Sequence, residues 1–400
     1  MDIVAVYLRW VWWRALLHRG WWLVTSVYLV VDAGLSASQL VLIGAAQGAT
    51  ALVFEVPAGV LADTVGRRWS LVVSHILMGA AMMVTAASTD FGPLLATQML
   101  WGLSWTFASG ADVAWITDEL ADAGRISIVL ARAARADLTG AATGLVGFGA
   151  LASLTQRSTA MVAAGAAMLG AGFFVVRHFR ERRFAPAPAG ARVSASWTVL
   201  TRGFLLVRRS RAVLVMFAAT LLVTAAAGSG RLHQRRLVDV GFPAEPLVWF
   251  TALGVLTLLV GAGVMRILGP RLDDERASLH GYLAAGAAGA VGATWLAVAP
   301  DLVSGASAVL LVAGVAVPLT RTIGTIRVNQ QTSGDVRATV HSFLAQAEYA
   351  GAILGGLALA ALARFAGLPV TLVVCGALFA STSLVVRRAG EPTTVEPPDR

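Results

Sequence analysis

Apolar residues in this chain come in long runs rather than in the short alternations of a soluble core. Runs of about 20 mostly apolar residues, long enough at 1.5 Å per residue to cross a bilayer, recur down the whole length. They predict twelve helices, over 10–31, 38–61, 69–89, 92–116, 136–155, 159–177, 212–229, 246–267, 278–298, 302–323, 338–362 and 367–386. The polar stretch 178–211 divides them six and six. It opens on Arg177, His178, Arg180 and Glu181, passes Pro186, Pro188 and Gly190, and becomes amphipathic over 194–209, with Trp197, Leu200, Phe204 and Val207 at helical spacing. That pattern predicts a linker whose helix lies on the membrane surface. The expected fold is an all-α integral membrane protein of twelve transmembrane helices in two six-helix, pseudo-symmetric halves. The boundaries are a bundle over 1–177, a cytoplasmic linker over 178–211, a second bundle over 212–387 and a tail over 388–400. The first run is not a cleavable signal peptide, because Trp12, Trp13, Trp21 and Trp22 break the aliphatic core such a peptide needs.

Composition agrees. Of 400 residues, 57% are hydrophobic and 13% charged, and mean hydropathy is +0.73. Soluble domains carry about 25% charge. The net charge of +9 would ordinarily suggest nucleic acid. Its distribution removes that reading. The basic residues are all arginine, 31 in number, and Arg157, Arg231, Arg235, Arg236 and Arg364 fall in odd-numbered connections. The remaining 26 (31 less these five) fall on the other side, if the start of helix 1 is counted there. Positive charge concentrates on cytoplasmic loops, so both termini are expected in the cytoplasm. The single cysteine, Cys375, excludes an intrachain disulfide.

The loop after helix 2 reads Gly59-Val-Leu-Ala-Asp63-Thr-Val-Gly66-Arg67-Arg68. Gly59 permits close helix approach and Gly66 a tight turn. Asp63 can accept from amides at a helix start. Arg67 or Arg68 can pair with an acid at the cytoplasmic end of helix 4, Asp118 or Asp112. The set predicts a conformational latch of Gly59, Asp63, Gly66, Arg67, Arg68 and Asp118. This loop resembles the signature G-x-L-A-D-x-x-G-R-R of the major facilitator superfamily, in the place where that family carries it. The stretches 54–59, 106–120 and 336–342 are similar to a bacterial drug-efflux-like branch of it. Two positions depart from the pattern. Gln98 stands where proton-coupled members often have arginine, and Leu145 replaces the proline of an antiporter signature whose glycines survive as Gly140, Gly144, Gly147 and Gly149.

Ionisable groups at membrane depth are costly and point to function. Glu55 lies about 12 Å along helix 2 from Asp63, and Glu348 lies well inside helix 11. Both are candidates for proton coupling, since burial raises a carboxyl pKa and opening to water lowers it. The expected substrate-cavity residues are His18, Arg19, Trp22, Gln98, Trp101 and Trp105, with His18 and Arg19 pairing with Glu55 or meeting substrate. Asp112, Asp137, Arg132 and Arg135 are expected to form an ion-pair cluster, Asp32, Asp90 and Asp301 to cap external loops, and His75 to pack.

These features predict a secondary active transporter working by alternating access, driving proton-coupled efflux of a hydrophobic drug-like compound or natural product. An importer or facilitator of a small polar metabolite is the alternative, and a non-transporting membrane sensor or enzyme a distant one. Six scattered histidines, no two at ligand spacing, offer no metal or catalytic set. Without lysine there is no nucleotide-binding loop of the G-x-x-x-x-G-K-S/T type. No cofactor is expected beyond a proton gradient. The expected partners are a small-molecule substrate, protons and the lipid bilayer, with no nucleic acid, and the chain is expected to act as a monomer.

Overall fold

A computed structural model describes residues 2–120, 123–184, 211–228, 230–241, 246–272, 274–331, 340 and 344–388. The amphipathic stretch 194–209, all of 336–342 but Val340, and the tail after 388 lie outside them. Among the described residues the secondary structure is helical. The elements are α1 (Ile3–Val31), α2 (Ala37–Thr64), α3 (Arg67–Thr85), α4 (Phe91–Ala108), α5 (Ala111–Leu120), α6 (Ala123–Leu154) and α7 (Arg157–His178). After the linker come α8 (Arg211–Ala227), α9 (Gly230–Asp239), α10 (Pro246–Leu268) and α11 (Glu275–Val298). A single rod, α12, joins Leu302–Val309, a π-helical turn Leu310–Ala316, and Val317–Gln331. Helix α13 (Leu344–Phe365) contains a second π turn, Gly351–Gly355, and α14 is Gly367–Arg388.

Ten helices or continuous helical runs among the described residues are long and apolar enough to cross a membrane. The remaining two spans of this all-α, twelve-span fold are α1 and the α4–α5 pair. Arg9, Arg14, His18 and Arg19 dilute the apolar character of α1. The expected single helix over 92–116 is broken, because Gly110 sits at φ 75°, the left-handed region glycine favours. Helix α6 begins thirteen residues before the expected start at 136. It runs about 48 Å, beyond the ~30 Å hydrocarbon layer, so its charged first turns need not be apolar.

Two compact units emerge. The first comprises Met1–Leu35, Ala49–Ser194 and Glu245–Val255. The second comprises Ser36–Gly48, Ala195–Ala244 and Leu256–Arg400. Within the first, α1 lies against α6 along a seam of missing side chains. A Cβ at Gly140 or Gly144 would strike the carbonyl oxygen of Trp12 or Leu16. Close backbone approach of this kind is how helices associate in lipid. Gly79 on α3 and Gly165 on α7 do the same for each other. In the second unit, Gly286 and Gly289 of α11 receive Ser383 and Phe379 of α14.

The five arginines outside the main charge pattern each have a local reason. Arg157 pairs with Asp32 at 2.7 Å. Arg235 pairs with Asp239, one turn on, at 3.1 Å. Arg236 donates to the carbonyls of Leu296, Ala297 and Ala299 at 3.0–3.1 Å, filling acceptors left open at the end of α11. Arg231 donates to Gln47 of α2 inside the second unit. Arg364 stands in the last turn of α13, where the helix dipole favours a cation.

Candidate functional site

The first unit carries a polar network where α2 turns into α3. Gly66 takes φ 133° and is buried, so the turn is open to glycine and strained for other residues. Arg67 pairs with Asp118 of α5, and its Nη1 also donates to the Ala114 carbonyl at 3.0 Å. Of the acids expected to receive an arginine, Asp118 is the one engaged. Asp112 accepts from its neighbour's amide, Val113 N, at 2.8 Å. Arg68 turns the other way. Its side chain donates to the Val176 carbonyl and its backbone amide to Glu181 Oε1 at 2.8 Å. Glu181 is thus part of the site, and its place among the arginines after α7 reads in sequence only as linker. Asp63 stands in the last turn of α2, and Gly59 follows Pro57 by two residues on the same helix.

The segment after α7 is anchored there. Phe179 is fully buried and stacks on Trp115 at 4.0 Å. Trp10 meets Phe179 edge-on at 5.5 Å and donates from Nε1 to His75 Nε2 at 3.1 Å. His75 donates from Nδ1 to the Leu71 carbonyl at 2.6 Å. One nitrogen accepts and the other donates, so the ring is a neutral packing histidine with its tautomer set.

Deeper in the same unit, aromatic rings of α1 and α4 gather around Trp101. His18 stacks on it at 5.4 Å, and Trp21, Trp22 and Trp105 lie at 6.2, 5.4 and 6.1 Å. The Arg14 guanidinium sits 5.1 Å from the Trp105 ring and 5.4 Å from that of Trp10, within cation–π range. Three polar atoms in this cluster are buried without a hydrogen-bond partner: His18 Nε2, Trp21 Nε1 and Trp101 Nε1. Trp105 remains 41% exposed. Gln98 is fully buried on α4 and donates to Thr85 of α3 at 3.4 Å, inside the helix packing.

Glu55 lies on α2 two residues before Pro57, which removes an amide from the helix ladder. Its Oε2 is buried without a hydrogen-bond partner. The expected pairing of Glu55 with His18 or Arg19 is not formed. His18 spends its ring face on Trp101, and Arg19, one position and about 100° further round α1, is exposed with no ion pair among the described residues. The expected cluster of Asp112, Asp137, Arg132 and Arg135 is also not formed. Arg132, Arg135 and Asp137 are exposed on the first half of α6 and make no ion pair among the described residues. Asp32 holds Arg157, and Asp301 caps α12 by accepting from Ser304 N at 2.8 Å. Asp90 occupies the N-cap of α4 without a side-chain bond.

The second unit holds a cavity of about 320 Å³ between α8, α11, α12 and α13. Thr220, Thr224, Tyr282, Thr320, Arg321, Thr325 and Glu348 supply its polar lining. Arg321 and Glu348 are exposed to it and form no ion pair among the described residues. Each lies close to a π turn: Arg321 follows Leu310–Ala316 by five residues, and Glu348 precedes Gly351–Gly355 by three. Such turns re-aim side chains and concentrate at functional sites. Arg321 escaped the sequence reading because the apolar run ends at 323, whereas the helix continues to Gln331.

Residues 16–356 match the profile of the Major Facilitator Superfamily. A search of curated protein sequences finds no match. Among solved structures, the nucleoside transporter NupG superposes with a TM-score of 0.79 at 13% identity, covering 98% of this chain and 100% of its own. A POT family transporter in complex with 5-aminolevulinic acid gives 0.74 at 12% identity, with 97% and 96% covered. The human organic anion transporter MFSD10 (TETRAN) gives 0.61 at 16% identity, with 96% and 100% covered. At these identities the likeness is one of fold.

Proposed function

The chain belongs to the major facilitator superfamily, and from that premise we propose that it exports a bulky, mainly apolar organic compound by proton-coupled alternating access. It is a multi-pass membrane transporter and not an enzyme. The finer reading places it in the drug-efflux-like branch, as a monomer in a bacterial cytoplasmic membrane with both termini inside. The observation that carries it is the ring cluster of the first unit. His18, Trp22, Trp101 and Trp105 offer large apolar faces, while His18 Nε2 and Trp101 Nε1 hold unspent hydrogen-bonding capacity. A planar or cationic compound with one or two polar edges would satisfy both.

Glu55 and Glu348 are the proton carriers in this reading. The Glu55 carboxyl has one buried oxygen without a hydrogen-bond partner among the described residues, so it holds a polar site inside the helix packing that a proton can occupy. Gly59, Asp63, Gly66, Arg67, Arg68 and Asp118 form a two-position latch. Breaking Arg67–Asp118 accompanies the conformational switch. Cells with and without the protein, each with and without a protonophore, test the proposal by retention of lipophilic and cationic dyes. Lower retention that depends on both protein and proton gradient supports export; equal retention in all four conditions sinks it.

A second reading, import or facilitated passage of a small polar metabolite, is favoured by one observation. The cavity of the second unit is lined by four threonines, a tyrosine, an arginine and a glutamate, the last two without an ion pair among the described residues. The similar structures named for nucleosides and for a 5-aminolevulinic acid complex make such substrates reasonable probes. Net inward flux of a polar compound would replace the export reading.

A further inference from the structure

The segment following α7 surrounds a cavity that the transport reading leaves without a task. Its volume is about 500 Å³, and Arg177, His178, Arg180, Arg182, Arg183 and Glu119 line it. Ile3 and Val6 of α1 supply an apolar side. Each contact that shapes this cavity leaves the four guanidiniums free. Phe179 is buried against Trp115. Glu119 Oε1 accepts from the backbone amides of Arg182 and Arg183 at 2.7 and 2.9 Å. Glu181 accepts from the amide of Arg68. The one lining carboxylate therefore serves the backbone. Among the described residues, Arg177, Arg180, Arg182 and Arg183 make no side-chain hydrogen bond or ion pair.

Four exposed guanidiniums facing one preformed cavity repel each other until an anion enters. Guanidinium forks match phosphate oxygens in pairs. The cavity also stands at the end of α7, which is long and apolar enough to cross a membrane, and lipid phosphates lie just outside the hydrocarbon layer such a helix spans. Phe173, one turn before Arg177 on α7, is 71% exposed, as a lipid-facing ring would be.

We propose that this cavity binds the phosphate of an anionic phospholipid headgroup, with Ile3 and Val6 meeting the less polar glycerol end. Arg132 and Arg135 on α6 are also exposed and stand outside the lining of this cavity, which makes them the comparison for a diffuse basic surface. The site is independent of the direction and coupling of transport.

The test uses the full chain purified in neutral detergent and titrated with phosphatidylglycerol or phosphatidylcholine. Retained lipid is read by native mass spectrometry. Phosphatidylglycerol should be retained at least tenfold better. Arg182→Gln should lower that retention about fivefold, the equivalent of ~1 kcal/mol for one guanidinium. Replacing Arg180, Arg182 and Arg183 together should abolish the preference, and the single variant carries the test if the triple does not fold. Arg132→Gln with Arg135→Gln should leave it intact, and millimolar inorganic phosphate should fail to displace the lipid. Equal retention of the two lipids, or an unchanged preference in Arg182→Gln, would overturn the proposal. Full displacement by inorganic phosphate would reassign the cavity to a soluble anion.

Discussion

The interiors of the two units offer opposite chemistry on the same helical plan. The first gathers four rings around Trp101 and buries three polar atoms without hydrogen-bond partners among the described residues. The second surrounds a 320 Å³ cavity with hydroxyls, Arg321 and Glu348. The difference follows from how each unit spends its small residues. In the first, glycines on α6 draw in the α1 backbone, and large rings fill what remains. In the second, π turns in α12 and α13 displace side chains and leave a polar space open.

The comparison can be broken most forcefully at Trp101. Trp101→Ala removes the ring that four others touch. It should cost about 3 kcal/mol of stability by chemical denaturation and lose transport of aromatic compounds. Trp101→Phe should retain most of both. If the alanine variant matches the parent in both respects, the ring cluster is not an organising feature.

Arg321→Gln and Glu348→Gln sharpen the other side. Each removes one charge from the cavity of the second unit without breaking an ion pair. Transport should fall about tenfold for compounds with a charged end, a difference of ~1.4 kcal/mol, while thermal stability stays put. A large loss of stability would mark the two charges as structural.

The Arg67–Asp118 pair ranks below these. Its side chains are 21% and 37% exposed, so screening limits it. A double-mutant cycle with Arg67→Gln and Asp118→Asn should give a coupling of about 1 kcal/mol or less in stability. Its larger effect should fall on the rate of interconversion, read by a fluorescence pair across the switch. The smallest effect belongs to Arg132→Gln, an exposed position outside the contrast, at under about 0.5 kcal/mol.

Much of this was legible in the chain itself. Apolar run length located the spans, because a bilayer requires it, and the loop after helix 2 offered Arg67 or Arg68 to Asp118 or Asp112, of which Arg67–Asp118 is the ion pair that forms. What the sequence hid arises from packing. The break at Gly110 looks like continuous apolar helix, since backbone angle leaves no hydropathy signal. The π turns have no composition mark. Glu181 reads in sequence as one charge of the polar linker, yet its partner is the Arg68 backbone amide. Glu55 was recognisable by its depth, but its expected partners were not: a stack on Trp101 claims His18, and helical rotation sends Arg19 elsewhere.

Proton-driven transport through Glu55 can be measured with the purified protein in proteoliposomes. A pH gradient is imposed, and flux of a lipophilic cation is followed for the parent and for Glu55→Gln. The parent should drive the cation against its gradient, with collapse on adding a protonophore, and Glu55→Gln should show no response to the imposed gradient. Gradient-driven flux that is the same in Glu55→Gln, or parent flux untouched by the protonophore, would contradict the account.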